Sequence, residues 1–279
     1  MKSIKWFIIL SLFIFSPPLS WGQDLPLSGT TGWRSLAPGL SWLRWVVREE
    51  RLAPNTLAIL RIDPEIWAFR VFYNLEPKTL KEWQQSTKAV VVCNGGFYRE
   101  NFQPAGRILV NGTSLGPTRN RYMKGMFLAE PRKGLDHLPK ATLIDLKEPN
   151  SEEKISLYEQ GIQSFPILLD SKGQVRVNPS SFQANRTIVA EDPSGFIYLI
   201  ITEKPSFTLH DFGVYLKNTP FRFRFVLNLD GGYRTQLAVR INSFNYFFAG
   251  QGENKEVSRL FAVDPVRLPS VIGIFPRGR

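Results

Sequence analysis

The chain holds one cysteine, Cys93, and two histidines, His137 and His210, among 279 residues. A single thiol excludes an intramolecular disulfide and any zinc site built from several cysteines. Two histidines leave little material for a His-based metal centre. Internal repeats and low-complexity linkers are absent, and the 20 prolines and 21 glycines follow no collagen-like period. Beyond the N-terminal segment no apolar run is long enough to cross a bilayer, which takes about 20 residues of helix. The composition also excludes a disordered chain, because 43% hydrophobic and 13% aromatic residues can bury a sizeable core. What the chain has in excess is positive charge: 35 Lys and Arg against 24 Asp and Glu, a formal net charge of +11. That excess suits nucleic acid, an anionic membrane surface or a phosphate-bearing substrate, and charge alone does not choose among them.

The N-terminus narrows the choice. Lys2 and Lys5 precede an apolar run from Trp6 to Phe15, Pro17-Pro18 breaks it, and Ser20-Trp21-Gly22 supplies small residues around a cleavage point. This is the pattern of a secretory signal over residues 1–22, cut after Gly22, with an uncleaved N-terminal anchor as the alternative. Its removal takes away two lysines and no acid, so the mature charge is 11 − 2 = +9. A periplasmic or secreted protein is expected, with no transmembrane helix after cleavage. Export argues against nucleic acid as a partner, and steeply salt-dependent, sequence-tolerant affinity would be its signature.

Residues 23–57 are mixed, and the mature chain, 23–279, reads as one α+β domain of mixed or antiparallel sheets with a few helices. Leu57–Ile62 and Trp67–Tyr73 read as strands joined by Asp63-Pro64-Glu65, which suggests a hairpin. Thr79 and Glu82 have capping-box spacing, so a short helix is expected to about Ser86. Ala89–Cys93 is a continuous apolar run, the mark of a strand buried on both faces. Arg107–Thr113 carries the Asn111-Gly112 dipeptide of a two-residue hairpin turn. Residues 131–159 are polar and read as loops. Strands are expected over Gln163–Leu169, Thr187–Ala190 and Phe196–Thr202, the last two joined by the turn Asp192-Pro193-Ser194-Gly195. Thr208 and Asp211 again have capping spacing, before Leu209, Phe212 and Leu216 on one helical face.

Two corners stand out. Phe221–Gln236 begins as an alternating strand with Phe221, Phe223, Phe225, Leu227 and Leu229 on one face, and Asn228 and Asp230 end the other. Gly231-Gly232 follows, which allows a sharp conformation and close approach of a ligand to the backbone. Asn94-Gly95-Gly96-Phe97-Tyr98 has the same design. Each corner is explicable as a tight turn, and two of them point to a shared cleft.

With Gln163-Ser164-Phe165-Pro166, Arg186-Thr187-Ile188-Val189 and the strand after Pro104-Ala105-Gly106, these corners form an ordered set. In that order the motifs resemble the phosphodiester glycosidase domain family, from roughly Trp33 to the C-terminus. The hallmark is Asn228-Leu229-Asp230-Gly231-Gly232. The family commonly continues it with small or hydroxylated residues, whereas here Tyr233-Arg234-Thr235 follows. Arg234 stands where a hydroxyl is usual, and Thr235 is its substitute one position on.

The resemblance implies an exported hydrolase that cleaves a sugar from a glycosyl phosphodiester, in a phosphorylated carbohydrate or envelope glycopolymer. The alternative is a binding module of the same fold that does not cleave. Departing phosphate needs little protonation, so the chemistry asks for a carboxylate, charge stabilisation of the phosphate and donors that fix the sugar. Asp230 is the expected carboxylate and Arg186 the phosphate ligand, because a guanidinium can bind two oxygens at once. Arg107 and Arg234 are further cations for that role. Asn94 and the amides of Gly95 and Gly96 are expected to donate to substrate. Gln163, Thr187, Asn228, Gly231, Gly232 and Thr235 complete the expected lining. No second catalytic carboxylate emerges from Glu191, Asp192, Glu203 and Asp211, and no cofactor is identified. Asp230 with neighbouring carbonyls would suit a hard divalent cation, but no EF-hand ligand series is present. Cys93 ends an apolar strand and reads as a buried inert thiol, and both histidines as surface residues.

Overall fold

A computed structural model describes residues 32–48, 53–250 and 266–278. The expected signal, residues 1–22, lies outside the described residues. Among those described, seventeen strands form three antiparallel sheets with three short α-helices. The first sheet runs in the spatial order β1 (Arg34–Ala37), β2 (Leu40–Val47), β3 (Asn55–Ile62), β13 (Ile197–Thr202), β12 (Thr187–Glu191), β14 (Phe225–Asn228), β11 (Ile167–Leu169). The second is β7 (Thr113–Leu115), β6 (Ile108–Val110), β10 (Tyr158–Ser164), β8 (Gly125–Pro131), β9 (Ala141–Asp145). The third is β16 (Phe244–Ala249), β15 (Gln236–Ile241), β5 (Val91–Asn94), β17 (Leu268–Pro276), β4 (Trp67–Lys78).

One face of each sheet contributes to a common core: Leu60, Val189 and Leu227 from the first, Phe127 and Ile162 from the second, Val91, Cys93 and Ile272 from the third. The opposite face of each is covered by one helix. Helix α3 (Leu209–Lys217) places Phe212 and Leu216 against Ile188, Ile200 and Val226 of the first sheet. Helix α2 (Ser151–Ser156) places Ile155 against Met126 and Leu128 of the second. Helix α1 (Leu80–Thr87) places Leu80 and Trp83 against Val92 and Val271 of the third. This arrangement explains the unbroken apolar run before Asn94. Val91 and Cys93 point into the common core, and Val92 points at α1. Each such side chain contributes roughly 1.5–3 kcal/mol on burial, so both faces of the central strands select apolar residues. Buried polar residues at strand ends are then the exceptions that need a reason.

The local signals hold. Thr79 Oγ1 accepts from the Glu82 amide and Glu82 accepts from the Thr79 amide, the reciprocal cap of α1. Thr208 caps α3 by accepting from the Asp211 amide. Asn111 and Gly112 both take positive φ, 49° and 75°, at the turn between β6 and β7. Strands β12 and β13 pair as a hairpin across the Asp192 turn.

Longer-range expectations need correction. β3 and β4 are not a hairpin: the Asp63 turn passes the chain from the first sheet to the third. The stretch read as one strand from Gln163 to Leu169 is two, β10 and β11, in different sheets across the Phe165–Pro166 bond. Residues 131–159 are not all loop, since they hold β9, α2 and the start of β10. The alternation from Phe221 is broken at Arg222, whose φ is 51°. Phe221 and Phe223 therefore pack beneath α3 with Val226, while Phe225, Leu227 and Leu229 enter the common core. The mixed segment before Leu57 supplies the edge strands β1 and β2, where Trp42 and Leu43 face opposite sides of the sheet.

Candidate active site

The three sheets meet where β5, β10 and β14 end and β12 begins. Asn94, the last residue of β5, is 1% exposed and joins two sheets. Its Nδ2 donates to the Asp230 carbonyl at 2.8 Å. Its Oδ1 accepts from Thr187 Oγ1 at 2.8 Å and from the Gln236 amide at 3.0 Å. The second sheet is tied in by Ser164 Oγ, which donates to the Asn228 carbonyl at 2.6 Å. Asn228 Nδ2 in turn donates to the carbonyls of Phe165 and Leu229.

Glycine is required at both corners by backbone proximity. A Cβ on Gly95 would lie 2.6 Å from Ser270 Oγ and 2.9 Å from its carbonyl oxygen, which accepts the Gly95 amide. A Cβ on Gly231 would lie 2.9 Å from the Asn185 carbonyl, which accepts the amide of Gly232. These amides hold the junction together. Of the two amides expected to face substrate, the Gly95 amide is engaged in this way, and Gly96 packs its Cα against Ile162 of β10.

Asp230 is 4% exposed. Its Oδ1 accepts from the Gly231 amide at 2.9 Å, but its buried Oδ2 has no hydrogen-bond partner among the described residues. Two more orphaned atoms lie in the same stretch, Asn228 Oδ1 and Thr235 Oγ1. Buried polar atoms are nearly always partnered, so three orphans within eight residues mark a place where a bound water or a ligand group would find partners. Burial pushes the Asp230 carboxyl up to about 6, against the opposing pull of Arg234 and the Gly231 amide. Arg234 Nη1 stands 3.7 Å from Oδ2, within ion-pair range and beyond a hydrogen bond. The Arg234 guanidinium lies 4.6 Å from the centre of the Tyr98 ring and 4.7 Å from that of Tyr233, and Nε donates to Tyr98 Oη at 2.9 Å.

Of the expected residues, Asn94, Thr187, Asn228, Asp230, Gly231, Gly232 and Thr235 converge here through these contacts, with Arg234 beside them. Gln163 lies against Gly106, and its Oε1 accepts from the Arg107 amide. Arg107 itself is committed: Nη1 pairs with Glu152 at 2.8 Å and Nη2 donates to the Thr118 carbonyl. The Arg186 backbone adjoins the junction, but its guanidinium donates to the carbonyls of Phe207 and Phe182 on the α3 side of the sheet. Burial lowers it to about 10, which leaves it charged at neutral pH. Nε and Nη2 of the guanidinium expected to take phosphate are thus engaged by main-chain oxygens. Glu191 closes on Arg224, Asp192 on its own turn and Tyr198, Glu203 on Arg44 and Tyr246, and Asp211 on Thr208, so none supplies a second carboxylate. Cys93 is fully buried and its thiol is pushed up to about 12, as befits an inert core residue.

Sequence reasoning missed Tyr98, Tyr233 and Ser164. Tyr98 was visible as the residue closing the Asn94 corner, but its partnership with Arg234 spans 136 positions and has no local signal. Among the described residues no cluster of His, Cys, Asp and Glu could hold a metal ion. No described helix is long and apolar enough to cross a membrane. An open charged depression lined by Glu76, Lys78, Glu82 and Arg267 lies beside α1 and shares no residue with the junction.

Three sheets around one core define a fold shared with solved structures. The catalytic domain of zebrafish N-acetylglucosamine-1-phosphodiester alpha-N-acetylglucosaminidase, auto-inhibited by its pro-peptide, superposes with a TM-score of 0.64 at 15% identity, over 88% of this chain and 86% of that one. A hypothetical protein from Synechocystis gives 0.61 at 15% identity, over 91% of this chain and 64% of that one. No curated protein sequence matches. The phosphodiester glycosidase family model matches residues 87–274, about two thirds of the chain. The chain belongs to the phosphodiester glycosidase family.

Proposed function

We propose that the protein is an exported hydrolase that cleaves the sugar–phosphate bond of a glycosyl phosphodiester in cell-envelope glycopolymers, with Asp230 as its catalytic carboxyl. The observation that carries this reading is the buried Oδ2 of Asp230, which has no hydrogen-bond partner among the described residues and stands 3.7 Å from the Arg234 guanidinium, in ion-pair range but beyond a hydrogen bond. An oxygen left without a donor is available to a water or to a developing oxocarbenium centre. With its carboxyl raised to about 6, Asp230 is mostly ionised at neutral pH yet able to take a proton. In the reaction, water oxygen bonds to the anomeric carbon and the bond from that carbon to the phosphate oxygen breaks. The phosphomonoester leaves with the electron pair, and the proton of water passes to the carboxylate and on to solvent. A leaving group that is already anionic needs no acid on the opposite side, which fits a junction where Asp230 is the one free carboxyl among the described residues. The N-terminal signal pattern supports export to the periplasm or beyond, and the mature charge of +9 supports an anionic polymer as substrate.

The test is release of reducing sugar from the methyl phosphodiester of N-acetylglucosamine 1-phosphate and from related glycosyl phosphodiesters by the purified mature chain. Turnover is expected, with a fall of about 10²–10⁴ in Asp230→Asn. A folded protein that releases sugar from none of them overturns the hydrolase reading. The second reading, a glycan- or phosphate-binding module of the same fold, is favoured by Arg234 beside the carboxyl and predicts binding without release.

A further inference from the structure

Arg186 and Arg234 both adjoin the hallmark strand end, and they differ in what their guanidinium groups touch. Every hydrogen bond that Arg186 makes through its side chain goes to a main-chain carbonyl. Among the described residues Arg234 makes one, from Nε to Tyr98 Oη, and its Nη1 and Nη2 donate to none of them. Its side chain is 29% exposed, so the free end of the fork is open to solvent on one side and faces Asp230 on the other.

We infer that Arg234 is the residue that receives the substrate's phosphate, held for that purpose in a bracket formed by Tyr98 and Tyr233. This deepens the hydrolase reading and rests on it for the identity of the ligand as a glycosyl phosphodiester.

A structural ion pair between Arg and a buried carboxylate closes to 2.7–2.9 Å as a rule, often with both prongs. Here the two groups stop at 3.7 Å, and Oδ2 stays orphaned. The Nε bond to Tyr98 and the two flanking rings fix the plane of the guanidinium, so it presents a fixed pair of donors at little further cost in side-chain freedom. A tetrahedral phosphate whose oxygens accept from those donors would lie next to Asp230, with its bridging oxygen and the attached anomeric carbon directed toward Oδ2. Tyr233, 42% exposed, would form the outer wall of the phosphate position. Among the described residues the charged and titratable groups that act on Asp230 are Arg234 and Tyr98, and Arg234 is the cation of the two.

The experiment is calorimetric titration of the mature chain with methyl phosphate, a phosphomonoester of the kind the reaction would release. The wild-type protein is expected to bind it. Arg234→Ser should weaken binding about tenfold or more, as loss of a charge-assisted, two-pronged contact would. Arg234→Lys keeps the charge without the fork and should fall between. Asp230→Asn should bind more tightly at pH 7.5, because a negative neighbour of the anion is gone, and Arg186→Lys should bind as the wild type does. Circular dichroism and melting curves verify folding, and if Arg234→Ser fails to fold, Arg234→Lys decides. Unchanged affinity in the folded Arg234 variants, or loss that follows Arg186 instead, overturns the inference, as does absence of binding by the wild type. Binding that depends on Arg234 with no sugar release would remove the hydrolase reading and leave this one standing. Sugar release with affinity indifferent to Arg234 would do the reverse.

Discussion

Asn94-Gly95-Gly96 and Asp230-Gly231-Gly232 share one design in sequence, a buried strand running into a polar residue and two glycines, and they meet in space. They differ in how far their polar groups are satisfied. Asn94 donates to Asp230 and accepts from Thr187 and Gln236, so it works as a clasp between the first and third sheets. Asp230 engages one carboxylate oxygen in a hydrogen bond, and the other, buried, has no hydrogen-bond partner among the described residues. Such a group lowers stability wherever it is ionised, and a fold that tolerates it has a use for it. The clasp thus holds the backbone of the very residue whose side chain stays free.

The largest effect on stability should come from breaking the clasp. Asn94→Ala would strand the Thr187 hydroxyl, the Gln236 amide and the Asp230 carbonyl, each worth about 1–3 kcal/mol when buried without a partner. A loss above about 3 kcal/mol is expected in denaturant unfolding, and a loss below 1 kcal/mol would show that the sheets are joined elsewhere.

The opposite sign is expected at the other corner. Because the folded carboxyl sits at about 6 and its ordinary value is 3.8, the native state holds a proton that the unfolded chain has released between those limits. Stability therefore falls as pH rises through that window, by about 3 kcal/mol at most once the pH is above 6. Asp230→Asn removes that loss. The variant should unfold at higher denaturant than the wild type at pH 7.5 and at the same denaturant at pH 4. A variant less stable than the wild type at pH 7.5 would make Asp230 a structural carboxylate like Asp192.

Smaller again is the effect of filling the glycine contacts. Gly95→Ala sets a methyl against the Ser270 backbone and should cost about 1–3 kcal/mol, with Gly231→Ala similar through Asn185. Thermal melts would check this, and a neutral Gly95→Ala would mean that β17 yields at Ser270.

What was legible in the sequence follows from range. Capping at Thr79 and Thr208, the Asn111-Gly112 turn and the two-face burial before Asn94 depend on neighbours within a few residues, and each was readable. The two corners were legible as buried strands running into a polar residue and two glycines, and the family motifs coincide with them. Sheet membership was not readable: the Asp63 turn could as well have closed a hairpin as carried the chain from one sheet to another, because turn chemistry fixes direction locally and says nothing of the partner strand. The same limit separates Arg186 from Arg234. Both stand next to the right backbone, and which guanidinium is left open depends on Phe207, Phe182 and Tyr98, residues distant in sequence or silent about orientation.

The most direct measurement is the pH dependence of kcat/KM for hydrolysis of a glycosyl phosphodiester, in the wild type and in Asp230→Asn. If Asp230 acts as a carboxylate, kcat/KM rises with pH up to a midpoint near 6, the value to which burial pushes the group, and then levels off. In Asp230→Asn the activity is lost and the limb with it. A wild-type profile flat from pH 4.5 to 7.5, or an Asp230→Asn protein of undiminished kcat/KM, would contradict the assignment.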